Sequence, residues 1–131
     1  MCALCTGTKF DFPVNSDTYT VEERAKIFED FREKIEGAKK VLVVGTGATG
    51  VEMAGNLEEK YRDKQIGLMS RGKTLLSAYP PAAQNIVHNY FQNSSVALHL
   101  NAGPFDPEKE EVKSYDVVIK CIGSSQNSSY L

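Results

Sequence analysis

Six consecutive residues, Gly45-Thr46-Gly47-Ala48-Thr49-Gly50, constrain this chain more than anything else in it. The continuous apolar run Lys40-Val41-Leu42-Val43-Val44 leads into them. Behind them Met53, Ala54, Leu57 and Tyr61 recur at helical spacing, which predicts a helix over 51–62. A G-x-G-x-x-G loop alone is a weak signal, but strand, loop and helix in that order make it informative. Gly45 permits a tight turn, Gly47 lets the backbone approach a ligand, and Gly50 lets the helix pack on the strand. The amides of Ala48, Thr49 and Gly50 would then point outward from a helix N-terminus, where the helix dipole favours anions. The expectation is a pyrophosphate cradle for NADH or NADPH. A glycine turn that binds nothing is the plainer alternative, yet three glycines cost chain entropy that a bare turn does not require.

The remaining elements follow from periodicity and punctuation. Thr20-Val21-Glu22-Glu23 is a capping box, so a helix is predicted to about Glu36, with Ile27, Phe28, Phe31 and Ile35 on one face and Gly37 stopping it. Gln65 to Ser70 reads as a second strand and Arg71-Gly72-Lys73 as a turn. Pro80-Pro81 opens another helix, with Ile86, Val87, Tyr90 and Phe91 as its buried face. Val96 to Leu100 and Asp116 to Gly123 supply two further strands, separated by a polar stretch with Gly103, Pro104 and Pro107. Alternating strands and helices predict an α/β fold: a Rossmann-like parallel sheet of about four strands with flanking helices. The serine-rich tail, 124–131, reads as flexible. The short apolar start at Cys2 reads as the edge of something larger.

The adenosine ribose is the next question. A carboxylate at the end of the second strand commonly holds the ribose hydroxyl of NAD. Ser70 occupies that place, with Arg71 beside it. Without a carboxylate a 2′-phosphate meets no repulsion, and an arginine can pair with it. The balance tilts toward NADPH, or toward tolerance of both dinucleotides. Arg71 as a plain solvated charge is the alternative. Glu52, two residues past the last glycine, reads as a first-turn carboxylate favoured by the dipole or as a group near the nicotinamide. His88 and His99 have no acid or nucleophile nearby in sequence and read as structural. No catalytic constellation and no metal-ligand spacing is visible.

Bulk properties fit one globular domain of 131 residues, 41% hydrophobic and 24% charged. The net charge of −2 gives no broad basic surface for nucleic acid. The longest apolar run is far too short for a transmembrane segment. The chain lacks the basic start and long apolar stretch of a signal peptide. Its three cysteines are an odd number, which suits a reducing, intracellular compartment such as the cytoplasm. Cys2 and Cys5 form a C-x-x-C pair that reads as two small apolar residues rather than a redox dithiol.

The stretch Lys39 to Gly55 resembles the NAD(P)H-binding domain of FAD-dependent pyridine nucleotide-disulfide oxidoreductases. Within them it is most similar to the apoptosis-inducing-factor-like branch, with its ferroptosis-suppressor-type quinone reductases and the related type II NADH dehydrogenases. Cys5-Thr6-Gly7-Thr8 followed by Phe12-Pro13 is similar to the family's segment that closes the first half of its FAD domain. The capped helix is similar to the connector, and Tyr115 to Gly123, with Asn127 beyond, to the return into the FAD domain. The departures are Thr46 where glycine is usual, Gln126 where a proline is usual, and a stretch from Val96 to Asp116 too short for the usual three-stranded meander. No separate FAD glycine motif and no C-terminal interface domain are visible.

The resemblance implies a division into an FAD-domain edge and linker (1–19), a connector helix (20–37), a pyridine-nucleotide domain (38–123) and the tail. It implies that Gly45, Thr46, Gly47, Ala48, Thr49 and Gly50 line the pyrophosphate and that Glu52 approaches the nicotinamide side. Ser70 and Arg71 would face the ribose, and Cys121, Ile122 and Gly123 would border the cleft. NADH or NADPH would be the ligand, FAD would belong to the full-length parent, and the partner would be that parent's FAD domain. Hydride would pass to the flavin and on to a quinone-like acceptor, and the isolated chain would not turn over. Two other readings stay open: a domain for another nucleotide or a methyl donor, and a degenerate module serving as a nucleotide sensor or protein-interaction surface.

Overall fold

The computed structural model describes residues 8–9, 20–123 and 125–126. Cys2, Cys5 and the Phe12-Pro13 pair lie outside these. The described chain runs β1 (Thr8–Lys9), α1 (Val21–Gly37), β2 (Lys40–Val44), α2 (Ala48–Lys60), β3 (Gln65–Met69), α3 (Pro81–Gln92), β4 (Ala97–His99), α4 (Glu110–Lys113), β5 (Val117–Lys120) and β6 (Ser125–Gln126). Strands β4, β3, β2 and β5 form one sheet in that spatial order, with every neighbouring pair parallel. The chain builds outward from β2 in one direction, then crosses back to lay β5 on the other side of β2.

Side chains alternate between the two sheet faces. Val41, Val43, Ile66 and Leu68 face a core closed by Ile35, Ala54, Leu57 and Phe91 from the three long helices. Leu42, Val44 and Met69 face the opposite side, where Val112 of α4 packs with Phe105, Tyr115 and Val118. Val41, Leu42 and Val43 are fully buried, which explains why the β2 run is apolar without alternation. The meander is shortened as expected: the segment between β4 and β5 covers the second face with a single helical turn, α4.

Thr20 caps α1 as expected, with the Glu23 carboxylate reaching back to its hydroxyl. The Glu23 amide donates to the Thr20 hydroxyl at 3.2 Å, and that hydroxyl donates to the Glu23 carboxylate at 2.8 Å. Gly37 is the last helical residue, and Ala38 leaves in extended conformation with no left-handed step. Helix α2 begins three residues earlier than predicted, because the Val51 amide bonds to the Gly47 carbonyl and draws the end of the glycine loop into its first turn. The strand predicted over 116–123, β5, ends at Lys120 rather than Gly123.

Two helix faces differ from expectation. Phe28 is 47% exposed beneath the Arg24 guanidinium, so α1 reaches the core through Ile35 and Phe31 instead. On α3, Phe91 is buried and Val87 partly so, while Ile86 and Tyr90 are 71% and 53% exposed. Each exposed residue lies one position before a buried one, about 100° around the helix. The stripe that meets the sheet is therefore narrower than periodicity suggested. Within the tail read as flexible, Ser125 and Gln126 form β6, paired antiparallel with β1.

Candidate functional site

The carboxyl end of β2, between β3 and β5, is where the strand order reverses, and open α/β sheets bind ligands at such a point. The glycine loop sits there. Gly45 has a φ of 109°, and its amide donates to the Met69 carbonyl at 2.9 Å. A Cβ on Gly45 would overlap the Cys121 carbonyl, 2.7 Å from its carbon. A Cβ on Gly50 would overlap the Gly45 carbonyl in the same way. These two glycines are close-packing requirements. Gly47 is different: it is exposed, φ is −71°, and nothing lies within 4 Å of where its Cβ would stand. It caps α2 without a side-chain hydrogen bond, and α2 has no acidic residue in its first turn. That leaves an uncrowded helix N-terminus whose amides and dipole suit a phosphate. The open space at Gly47, at this helix N-terminus, leaves room for a dinucleotide pyrophosphate.

Thr46 is tied to the end of β3. Its hydroxyl shares a 2.9 Å hydrogen bond with the Ser70 hydroxyl, and its carbonyl accepts from the Leu76 amide at 2.8 Å. Ser70 is buried at 3% exposure, and its hydroxyl also accepts from the Gly72 amide at 3.2 Å. Residues 71–74, with Arg71 and Lys73 among them, form an exposed turn before the chain dives inward at buried Leu75 and Leu76.

On the other flank the Cys121 amide bonds to the Val44 carbonyl at 2.7 Å, which carries the parallel ladder one residue past β5. Cys121 is half-buried, and burial pushes its thiol pKa up, so the thiol stays protonated near neutrality. Ile122 is exposed, and Gly123 turns away with a φ of 104°. The structure thus brings Gly45, Gly50 and Cys121 into contact and joins Thr46 to Ser70. Glu52 is exposed. The earlier start of α2 places it in the second helical turn rather than the first, where the dipole's hold is weaker.

The sequence reading missed a cluster at the end of β4. His99 Nε2 and the Tyr115 hydroxyl are 2.7 Å apart, and His99 Nδ1 meets the Glu111 carboxylate. Burial and then the Glu111 charge raise the Tyr115 pKa. The ring of Tyr115 lies on Gly67 so closely that no Cβ would fit there. This arrangement fastens the β4–β5 crossover to the sheet, consistent with a structural histidine. Only the fold brings these residues together, and their spacing carries no motif. An open groove between the C-terminal halves of α2 and α3, lined by Glu58, Arg62, Ile86 and Tyr90, lies at the opposite end of α2 from the loop. Among the described residues no group of three or more His, Cys, Asp or Glu could hold a metal, and no helix is long and apolar enough to cross a membrane.

Comparisons with known proteins agree on one family. The family described as pyridine nucleotide-disulphide oxidoreductase matches residues 40–125. The chain is 33% identical to oxidoreductase ptaL of Pestalotiopsis fici over 95% of its own length and 37% of that protein. It is 34% identical to ferroptosis suppressor protein 1 of Xenopus tropicalis over 96% of its length and 39% of that protein. Among solved structures it is similar to a Bacillus anthracis CoADR-RHD, with a TM-score of 0.63 and 26% identity, covering 85% of this chain and 21% of that one. The chain spans less than two fifths of the length of these relatives.

Proposed function

The chain belongs to the pyridine nucleotide-disulphide oxidoreductase family, and from that premise we propose that it binds NADPH or NADH as the pyridine-nucleotide domain of a flavin-dependent oxidoreductase. The observation that carries this reading is the open cradle at Gly47, set between two glycines that close packing demands. Gly47, Ala48, Thr49 and Gly50 present their backbone to the pyrophosphate. The exposed turn at Arg71 faces the adenosine ribose, without a carboxylate at Ser70 to repel a 2′-phosphate. Cys121, Ile122 and Gly123 border the nicotinamide half of the cleft, with Glu52 near it.

FAD, if held by a partner domain of the whole protein, would supply the redox chemistry as the hydride acceptor, with a quinone-like compound as the final acceptor. This chain's residues bind and orient the donor. Pairing of β1 with β6 supports the domain reading, because it sets the two stretches that flank the nucleotide domain side by side. They match the segments that resemble the family's crossings to and from its FAD domain. Calorimetric titration with NADPH and with NADH tests the proposal, and binding of at least one, saturating at one site, is the expected result. A folded chain that shows neither heat nor a thermal shift with either nucleotide contradicts it.

A further inference from the structure

Thr46 and Ser70 lie 24 residues apart in sequence, yet their hydroxyl oxygens meet at 2.9 Å across the carboxyl ends of adjacent strands. Ser70 is buried, and its second bond, from the Gly72 amide, leads directly into the exposed turn. Thr46 is held again through its carbonyl, by the amide of Leu76 at the far end of that turn. Leu76 makes this bond from a φ of 51°, a conformation that L residues seldom adopt, so the loop is held in place by its surroundings. Three hydrogen bonds therefore tie one residue of the glycine loop, Thr46, and the end of β3 to both ends of the segment that displays Arg71. A glycine at position 46 has no hydroxyl with which to make the first of them.

Building on the dinucleotide reading above, we propose that Thr46 and Ser70 form a positioning pair. Their shared bond sets the turn bearing Arg71 against the glycine loop, and so sets the preference for a 2′-phosphorylated dinucleotide over an unphosphorylated one. Neither hydroxyl has to touch the nucleotide, since each is already engaged within the protein. The pyrophosphate cradle itself is backbone, so binding common to both nucleotides depends on it much less.

The test uses the full chain and four variants: Thr46→Val, Ser70→Ala, the double variant and Thr46→Ser. Dissociation constants for NADPH and NADH are measured by calorimetry beside a thermal midpoint for each protein. Thr46→Val is expected to weaken NADPH about fivefold, the worth of an ordinary hydrogen bond, Ser70→Ala by at least as much because it also removes the acceptor of the Gly72 amide, and each to weaken NADH less than about twofold. The double variant is expected to be no weaker than Ser70→Ala alone, because both changes break one shared bond. Thr46→Ser is expected to keep wild-type preference. Equal losses for both nucleotides, losses that multiply in the double variant, or a Thr46→Ser protein as weak as Thr46→Val would overturn the proposal. Should Ser70→Ala fail to fold, the contrast between valine and serine at position 46 decides the matter. A wild-type chain that binds neither nucleotide instead overturns the dinucleotide reading, and this proposal with it.

Discussion

Gly50 stands so close to Gly45 that a Cβ on Gly50 would lie 2.8 Å from the Gly45 carbonyl carbon and nearer still to its oxygen. Gly45 in turn abuts the Cys121 carbonyl. The glycine loop, the first turn of α2 and the end of β5 thus form one tightly packed unit. Gly50→Ala and Gly45→Ala are each expected to destabilise the fold by about 1–3 kcal/mol or more, through overpacking. Gly45→Ala carries the added strain of a left-handed backbone at φ 109°. Urea midpoints at constant m-value check this, and a midpoint within error of wild type would refute the packing argument.

Arg71 is exposed on its turn. Under the ribose assignment, Arg71→Ala weakens NADPH by about tenfold, a typical loss for one charge-assisted contact in partial solvent, and leaves NADH nearly unchanged. Paired titrations measure it. Equal losses for the two nucleotides would remove Arg71 from the site.

Asp116 ties the amino end of the sheet. Its carboxylate accepts from the Lys40 and Lys39 amides at 2.9 and 2.8 Å. Those bonds, Lys40 first, hold its pKa below the usual carboxylate value. A depressed folded pKa stabilises the folded state above the unfolded value of about 4, and that stabilisation is lost as pH falls through the folded value. The thermal midpoint of Asp116→Ala should therefore lie below wild type by a constant amount from about pH 5 to 8, with the gap narrowing below about pH 4. A gap independent of pH down to about pH 2 would show that the charge plays no part.

Tyr115 covers Gly67 and bonds to His99. Tyr115→Phe keeps the ring and loses the bond, for an expected cost of about 1 kcal/mol. Tyr115→Ala also uncovers the second sheet face, and about 2–3 kcal/mol is expected for this half-buried ring. Chemical denaturation separates the two. Equal effects would mean that packing on Gly67 contributes little.

Much of this fold was legible in sequence because its local signals agree with one another. The apolar β2 run, the glycine loop and the spacing of Ala54 and Leu57 all specify strand, turn and helix, and the capping box at Thr20 fixed the start of α1. Periodicity could not say how wide a stripe each helix buries. Ile86 and Phe28 fit the pattern, yet they lie outside the narrow line where α3 and α1 meet the core. At the site, the roles of Gly45 and Gly50 could be read from spacing because they are local. The Thr46–Ser70 bond and the cluster of His99, Glu111 and Tyr115 could not, since the first needs the parallel pairing of β2 with β3 and the second needs the crossover through α4 to fold back on β4. Thr46 and Ser70 were each visible as departures from what is usual, and nothing in sequence linked the two.

Gly47 offers the most direct measurement of the central claim. Nothing in the protein crowds its Cβ position, and its backbone conformation suits alanine, so Gly47→Ala should fold within about 1 kcal/mol of wild type. Its new methyl group would stand in the space assigned to the pyrophosphate. Titration of both proteins with NADPH and NADH should show binding by wild type and at least a tenfold loss in Gly47→Ala, with unliganded thermal midpoints nearly equal. Wild-type affinity retained by Gly47→Ala, or a folded wild-type chain that binds neither nucleotide, would contradict the account.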